Sequence, residues 1–384
     1  MLVSTASGPS LKIGIIRSSS IGDVVLACSS LHLLDKLAVP VELYWIGRDP
    51  ALSLVKAVFP HVRCIELKKN LGLKTILDQL RELHFLLDLQ TNIKTKLLCY
   101  RFRTLYKRPS YSCSKRTGWR VKLVLLSRFW GRKRILPARF REVDVHQYRM
   151  MSNSLLEALS HHLSSDKMEE AKKCDPFPIF PNSITNTRKK NWQTKIGAKP
   201  WIVVAPGASY ETKRAPIRLF ADIITKIRDL YCEGLKEHQA PLGLMLLGDV
   251  KDRKICLELV ELLRWEGSIL NLAGKLSLQE TALALEGQGC LLSNDSSLAH
   301  ISEAVGTPVA VVFGPTVEAF GFAPRMPESR SFSTSLGCRP CSKHGKTPCR
   351  YQDHLCFTSL DWEPVSRYVV NLLLNHRLDP IPGS

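Results

Sequence analysis

Apolar runs alternate with amphipathic stretches along the first 90 residues. The runs at 12–17, 41–47 and 85–90 are almost continuously apolar, which is typical of strands buried on both faces. Between the first two, the stretch at 24–37 repeats its apolar residues with the period of a helix. Strands of this kind separated by helices predict a parallel sheet that is covered on both sides.

The same alternation pauses and then starts again in the second half of the chain. Residues 175–199 carry three prolines, polar residues and a basic cluster, which indicate a linker. Apolar runs at 201–207, 243–249 and 290–295 then predict further buried strands, and 362–378 has the pattern of a final helix. The fold class is therefore α/β with two doubly wound units. The predicted parts are an N-terminal domain at 11–180, a linker at 181–200, a C-terminal domain at 201–361 and a closing helix at 362–378.

The charge is divided unevenly between these two units. The chain has 384 residues, which suits two domains, and a formal net charge of +19. Residues 1–200 carry 35 basic and 15 acidic side chains, whereas residues 201–384 carry 19 and 20. A basic tract at 101–141 alone holds 14 Lys and Arg and no Asp or Glu. The division excludes a uniformly basic, histone-like protein and predicts one strongly basic surface in the first domain.

Four of the twelve cysteines cluster near the C-terminus, and the other eight are scattered singly. The clustered set is Cys338, Cys341, Cys349 and Cys356. Its spacing suits a tetrahedral structural zinc and is compatible with an iron–sulfur cluster, while two disulfides or four reduced thiols remain equally open. The scattered cysteines, together with the lack of a signal-like start or an apolar run of 18 residues, predict a reduced, soluble, cytoplasmic protein.

Common nucleotide-binding signatures are absent from the sequence. No G-x-G-x-x-G follows a predicted strand, and Pro340 stands where a P-loop ending in the GKT at 345–347 requires glycine. No D-x-D occurs either. A dehydrogenase, a P-loop ATPase and a metal-bridged diphosphate site of the D-x-D type are therefore disfavoured.

Polar and charged residues follow four of the predicted strands. These junctions lie at 18–23, 206–214, 248–252 and 294–300. They form the candidate site because ligands of doubly wound sheets bind at the carboxyl ends of strands. Ser209 and Lys213 suit an anionic group, and free N–H groups at a helix start after Asp295 can hold a diphosphate. Asp23, Asp249 and Asp252 could instead cap helices, and His300 could be an ordinary core histidine.

The junctions belong to longer segments that match one known family in order. The main segments are IIRSSSIGDVVLACSSLHLL, VVAPGASYETKRAP and LLSNDSSLAHISEAVGTPVAVVFGPT, and the weaker ones are FLLDLQTN and VHQYRMMSNSLLEAL. The set resembles the family 9 glycosyltransferases, the heptosyltransferases of lipopolysaccharide core assembly. The resemblance implies a GT-B fold, in which two Rossmann-like domains face a cleft and a C-terminal helix returns to the first domain. It also implies an inverting transfer of heptose from ADP-heptose to the inner core of lipopolysaccharide, with no metal or other cofactor for catalysis.

The resemblance further implies roles for individual residues. Asp23 matches the base that takes the proton of the acceptor hydroxyl, and Lys213 matches the lysine that faces the donor diphosphate. The other donor-side candidates are Ser209, Asp295, Ser296, Ser297, Leu298 and His300, with Asp249 or Asp252 at the ribose. The acceptor-side candidates are Ser19, Ser20 and Gly22, with Arg116 and Arg120 from the basic tract.

The basic tract has an expected partner under this interpretation. Its cations suit a phosphorylated glycolipid of the Kdo-lipid A type. The stretch at 118–134 mixes aromatic and basic residues and could lie on an anionic membrane, which predicts a peripheral enzyme at the cytoplasmic face of the inner membrane. The alternative is that the tract forms only a basic surface exposed to water.

Two departures from the family pattern keep other functions open. Ser297 stands where the family usually has glycine, and Ala215 stands where it usually has tryptophan. The same fold could therefore use another nucleotide sugar. A third hypothesis is a non-catalytic, nucleic-acid-binding protein that uses only its basic face, although no recognisable nucleic-acid module accompanies the tract. Retention of both Asp23 and Lys213 favours an enzyme.

Overall fold

The computed structural model of the chain contains two compact units. One comprises Met1–Arg116 and Gln147–Ile184, and the other comprises Thr117–His146 and Thr185–Ser384. The structure describes residues 10–37, 40–68, 70, 72–113, 122, 124–126, 129, 131, 146–177, 180, 196, 200–235 and 241–376. The predicted linker at 181–200 lies almost wholly outside the described residues.

A five-stranded parallel sheet forms the centre of the first unit. Its strands are β1 (Leu11–Ile16), β2 (Val41–Gly47), β3 (Arg63–Glu66), β4 (Phe85–Asp88) and β5 (Ser110–Ser112). Its helices are α1 (Ile21–Ala27), α2 (Ser29–Lys36), α3 (Ala51–Val58), α4 (Leu73–Leu80), α5 (Ile93–Tyr106), α6 (Gln147–Leu159) and α7 (Ser165–Lys173). The strand order is β3-β2-β1-β4-β5. In the central strand, Ile13, Ile15 and Ile16 are fully buried, as the continuous apolar run predicts.

The second unit has a parallel sheet of six described strands. They are β6 (Trp201–Ala205), β7 (Gly243–Leu246), β8 (Ile269–Asn271), β9 (Cys290–Asn294), β10 (Val309–Phe313) and β11 (Arg330–Ser333), in the order β11-β10-β9-β6-β7-β8. Its helices are α8 (Ile217–Gly234), α9 (Arg253–Leu263), α10 (Leu278–Leu285), α11 (Ser297–Ala304), α12 (Leu355–Thr358) and α13 (Glu363–Asn375). The prediction of two doubly wound α/β units is confirmed. Over the described residues, no helix is both long and apolar enough to cross a bilayer.

The closing helix α13 belongs to the core of the second unit. Its apolar face, with Val365, Val369 and Leu373, joins the buried cluster that includes Phe220 and Ile224 of α8. Outside that core, Lys226 of α8 lies 3.7 Å from Glu363. The apolar face of this helix is thus buried within the second unit, and its return to the first domain stays a prediction.

The structure describes only part of the basic tract at 101–141. The start of the tract lies in α5 and β5 of the first unit. Val124 is fully buried and packs with Val317 and Phe320 of the second unit. The prediction that the whole tract lies in the first domain stays a prediction, because most of residues 114–141 lie outside the described residues.

Candidate functional site

A largely buried ion pair links the carboxyl ends of two neighbouring strands in the second unit. Strands β6 and β9 pair in parallel, so the loops after them start at the same edge of the sheet. The turn Glu211–Lys213 in the first loop places Lys213 Nζ 2.6 Å from Oδ2 of Asp295, which directly follows β9. The two side chains are only 14% and 13% exposed. The structure thus brings together two residues that the sequence predicted separately.

Asp295 stays ionised although it is buried. Burial is the largest influence on this carboxyl and by itself would raise its pKa. The Lys213 ammonium, the Thr316 hydroxyl and the nearby His300 together outweigh burial and hold the pKa of Asp295 below its usual value. Thr316, which follows β10, donates to Asp295 Oδ2 at 2.6 Å. Segments that follow three adjacent strands therefore build one charged cluster.

Asn294 fixes the loop that carries Lys213, a role that the sequence did not reveal. Its side chain is fully buried at the end of β9. The Nδ2 atom donates to the carbonyl of Pro206 at 2.7 Å, and Oδ1 accepts from the backbone N–H of Ala215 at 3.2 Å. One amide side chain therefore holds both ends of the 206–215 loop. The available signal was a polar pair, Ser293 and Asn294, at the end of a strand that is otherwise apolar.

Helix α11 starts beside this cluster. Ser296 is its N-cap residue, and its Oγ lies 3.0 Å from Ser293 Oγ instead of capping the helix. Ser297 and Leu298 form the first turn and are half-buried, while His300 is buried one turn further on. The backbone N–H groups of a first helical turn have no partner inside the helix, so they suit an anion.

The two aspartates proposed for a ribose differ in accessibility. Asp252 is buried, and burial raises its pKa. Its Oδ2 accepts from the backbone N–H of Asp249 at 3.0 Å, and its Oδ1 lies 3.4 Å from Arg214. A Cβ at Gly207 would come within 2.2 Å of the Asp252 carboxyl carbon, so this loop needs glycine there. Asp249 is exposed, although its Oδ1 accepts from the backbone N–H of Lys251 at 2.6 Å.

The segment that carries the clustered cysteines contacts the Lys213 loop. Gly345 has a φ of +76°, and its carbonyl accepts from the Thr212 hydroxyl. A Cβ at Gly345 would lie 2.5 Å from Lys213 Cγ. The fully buried Arg339 anchors the same segment through a 2.7 Å hydrogen bond to the carbonyl of Thr316. The cysteine segment therefore packs against residues on both sides of Asp295.

The four clustered cysteines line a single cavity of about 370 Å³. None of the twelve cysteines is in a disulfide. Among the described residues, no three His, Cys, Asp or Glu side chains are arranged so that they could hold a metal ion. Zinc at Cys338, Cys341, Cys349 and Cys356 therefore stays a prediction.

In the first unit, Asp23 lies in the first turn of α1. Its Oδ2 is 2.7 Å from Arg17 Nη2 and accepts from the backbone N–H and the hydroxyl of Ser20 at 3.2 and 2.9 Å. Arg17 is nearly buried, and another of its nitrogens donates to the carbonyl of Leu89. Within the described part of the chain, all these contacts fall on Oδ2 and none on Oδ1. A capping role for Asp23 through Oδ2 is thus compatible with a functional role through Oδ1.

The loop before α1 is held by a residue from the next segment along the sheet. Gln90 Oε1 accepts from the backbone N–H groups of Ser18 and Ser19 at 2.9 and 3.1 Å. Gln90 follows β4, which pairs with β1. Ser19 and Ser20 are exposed, whereas Gly22 is buried within α1. The predicted acceptor residues Arg116 and Arg120 lie outside the described residues.

Known proteins share this sequence pattern and this fold. Lipopolysaccharide heptosyltransferase 1 of Campylobacter coli is 22% identical over 317 residues, which cover 80% of this chain and 84% of that protein. The structure of E. coli ADP-heptose lipopolysaccharide heptosyltransferase II matches with a TM-score of 0.64 at 19% identity, over 95% of this chain and 99% of that one. E. coli heptosyltransferase WaaC with ADP-2-deoxy-2-fluoro heptose matches with a TM-score of 0.58 at 17% identity, over 94% and 99%.

The structural likeness and the two parallel sheets together show the GT-B fold, with two Rossmann-like domains. The family model described as glycosyltransferase family 9 (heptosyltransferase) matches residues 79–352, which is well over half of the chain. The protein is therefore a glycosyltransferase and belongs to glycosyltransferase family 9, the heptosyltransferase family.

Proposed function

We propose that this enzyme transfers a heptose from ADP-heptose to the inner core of lipopolysaccharide, with inversion at the anomeric carbon and without a catalytic metal. The observation that carries the proposal is the Lys213–Asp295 ion pair beside the first turn of α11. A fixed cation and unpaired helical N–H groups at one sheet edge suit a diphosphate. The solved WaaC structure with an ADP-heptose analogue supports the choice of donor.

On the donor side, Lys213 offsets the charge of the leaving group. As the bond between the anomeric carbon and the phosphate oxygen breaks, the electron pair and negative charge pass to ADP. Asp295 and Thr316 hold the Lys213 ammonium in place, so little reorganisation is needed at that moment. This fixed positive charge supplies the stabilisation for which other enzymes use a divalent metal.

Three further groups contribute to donor binding in this proposal. The first-turn N–H groups of Ser297 and Leu298 receive phosphate oxygens, and the exposed Ser209 adds a hydroxyl from the Lys213 loop. Asp249 binds the ribose hydroxyls, because it is exposed whereas Asp252 is buried against Arg214. Asp252 instead keeps the shape of the loop.

On the acceptor side, Asp23 acts as the general base. Its Oδ1 takes the proton of the acceptor hydroxyl while that oxygen forms its bond to the anomeric carbon. Arg17 and Ser20 hold Oδ2, so the carboxylate keeps one orientation. Attack from the face opposite to the departing ADP gives inversion. Ser19, Ser20 and Gly22 shape the surroundings of the acceptor sugar.

The acceptor in this proposal is a phosphorylated glycolipid of the Kdo-lipid A type. The excess of basic residues in the first 200 residues is the feature that suits its phosphates and carboxylates. Such an acceptor is embedded in a membrane, so we propose that the enzyme works at the cytoplasmic face of the inner membrane.

A donor panel tests the proposed function. Purified enzyme is incubated with Kdo₂-lipid A or heptosylated acceptors and with ADP-heptose, ADP-glucose, UDP-glucose or GDP-mannose, and the products are read by mass spectrometry. We expect a product one heptose heavier from ADP-heptose alone, with an undiminished rate in EDTA. Transfer from another nucleotide sugar would replace the donor assignment, and a rate abolished by EDTA and restored by a divalent cation would overturn metal independence.

Because Gly345 lies so close to Lys213, a single methyl group added at Gly345 should lower the activity strongly. Gly345→Ala forces its Cβ against Lys213 Cγ, so the ammonium moves from its place. We expect kcat/KM to fall by about 10- to 100-fold, because displacements near 1 Å have costs of this size. Steady-state kinetics with ADP-heptose measures the effect.

Gly287→Ala is the matched control. Gly287 also has a positive φ, +73°, but an added Cβ there has no heavy atom within 4 Å. Both variants should lose about 1 kcal/mol of stability from backbone strain, and only Gly345→Ala should lose activity. Adding Gly345→Ala to Lys213→Met should change the rate no further; an additive loss would refute action through Lys213.

A further inference from the structure

Helix α5 exposes large apolar side chains on the side opposite to its core contacts. Its inner stripe, which includes Leu98 and Phe102, is buried in the first unit. On the outside, Ile93 is 86% exposed, Leu97 49% and Tyr100 54%. A helix with one core face normally presents polar residues to water, so this second apolar stripe has no explanation in the packing of the unit.

Three of the exposed apolar residues form one line. Each residue turns an α-helix by about 100°, so Ile93, Leu97 and Tyr100 fall within one narrow sector, whereas the exposed Leu105 lies to one side of it. That sector is centred opposite the buried positions 95, 98, 99 and 102. The stripe therefore runs along the outermost line of α5 over about two turns.

Exposed cations frame this stripe on both sides. By the same rotation, Lys94 and Arg101 flank one side, and Lys96 and Arg103 flank the other. All four side chains are exposed, and none forms an ion pair with an acidic residue in the described ranges. The sequence also has no Asp or Glu from residue 89 to residue 141. The face thus combines a shallow apolar line with uncompensated positive charge.

We propose that the outer face of α5 docks on an anionic lipid bilayer, with Ile93, Leu97 and Tyr100 at the boundary between headgroups and acyl chains. Long basic side chains beside an apolar stripe can extend to lipid phosphates while their stems cover apolar surface. Each such cation adds attraction to an anionic leaflet. This inference goes beyond the transfer reaction, since docking needs neither donor nor acceptor sugar.

Vesicle co-sedimentation tests the docking surface with lipids that lack any lipopolysaccharide. Vesicles of phosphatidylethanolamine and phosphatidylglycerol are compared with vesicles of phosphatidylcholine alone, with the full-length protein. We expect strong, salt-sensitive binding to the anionic vesicles only. The double variant Ile93→Gln/Leu97→Gln should bind them roughly 10- to 100-fold more weakly, as expected when two aliphatic side chains no longer insert.

Leu257→Gln/Leu262→Gln is the matched control, because these residues of α9 are also large, apolar and exposed. It should bind vesicles within twofold of the wild type. Replacing Lys96 and Arg103 with glutamine should weaken binding most at low salt. Unchanged vesicle binding by Ile93→Gln/Leu97→Gln, or an equal loss in the α9 control, would overturn the proposal. Loss of self-association by Ile93→Gln/Leu97→Gln with lipid binding unchanged would also overturn the proposal, because this face of α5 would then bind a second copy of the chain.

The same variants separate docking from catalysis. Transfer to a water-soluble acceptor without acyl chains should be the same for Ile93→Gln/Leu97→Gln as for the wild type. A loss of soluble transfer with intact vesicle binding would count against the placing of α5 at the membrane and not against the transferase assignment.

Discussion

Asp23→Asn should lower kcat for heptose transfer by about 10²- to 10⁴-fold, the range that a positioned general base contributes. Asparagine has nearly the same shape, and its oxygen can still accept from Arg17 and Ser20. It cannot take up the proton of the acceptor hydroxyl. The dissociation constant for ADP-heptose should stay within about twofold, because the donor groups lie on other segments. Rapid-quench kinetics and calorimetric titration measure the two quantities.

Asp78→Asn serves as the control, since Asp78 is an exposed aspartate on α4 of the same unit. It should transfer heptose at the wild-type rate. Both proteins should unfold at the same temperature to within a few degrees. If Asp23→Asn turns over normally, Asp23 is not the base, and its contacts with Arg17 and Ser20 only cap α1.

Lys213→Met should damage both activity and stability. Without the ammonium, charge on the departing ADP loses a preorganised partner, so kcat should fall by about 10²- to 10³-fold. The buried Asp295 carboxylate also loses its counter-charge, which should cost on the order of 3 kcal/mol of unfolding free energy. Steady-state kinetics and urea unfolding at pH 7 measure the two losses.

The double variant Lys213→Met/Asp295→Asn separates these two effects. Replacing the orphaned carboxylate with a neutral amide should recover most of the stability, whereas activity should stay low. Recovery of activity together with stability would mean that Lys213 only supports the fold. Normal kcat in the single variant would exclude Lys213 from the reaction.

The Lys213–Asp295 pair makes the free energy of unfolding depend on pH in a direction that can be predicted. The pKa of Asp295 is lowered in the folded protein, so its ionisation stabilises the fold above the ordinary aspartate pKa of 3.8. That contribution disappears as the pH falls through the lower, folded-state pKa. The stability difference between wild type and Asp295→Asn should therefore shrink below about pH 4.

Local patterns in the sequence were enough to find the chemistry but not the contacts that position it. Lys213 and Asp295 could be found because each follows an apolar strand, and neighbouring parallel strands bring their ends together. The hydrogen bond between Thr212 and Gly345 spans 133 residues, and no spacing rule connects such positions. Asn294 was visible as a polar residue, but its two backbone partners depend on the folded loop.

The closing helix and the basic tract show the same limit for the fold. The apolar periodicity of α13 correctly predicted a helix with one buried face. It could not say which core that face would enter, because Val365, Val369 and Leu373 suit any apolar surface. Likewise, fourteen basic residues identified the tract at 101–141, but they could not show that Val124 within it is buried against Val317 and Phe320.

The burial of Val124 against Val317 and Phe320 has a consequence for synthesis on the ribosome. Val124 emerges from the ribosome about 190 residues before the apolar residues that cover it. A translating chain at 5–20 residues per second leaves Val124 without its core for roughly 10–40 s. We therefore expect the nascent chain to need a chaperone for longer than a chain whose cores form from neighbouring segments, or to complete this core slowly and late.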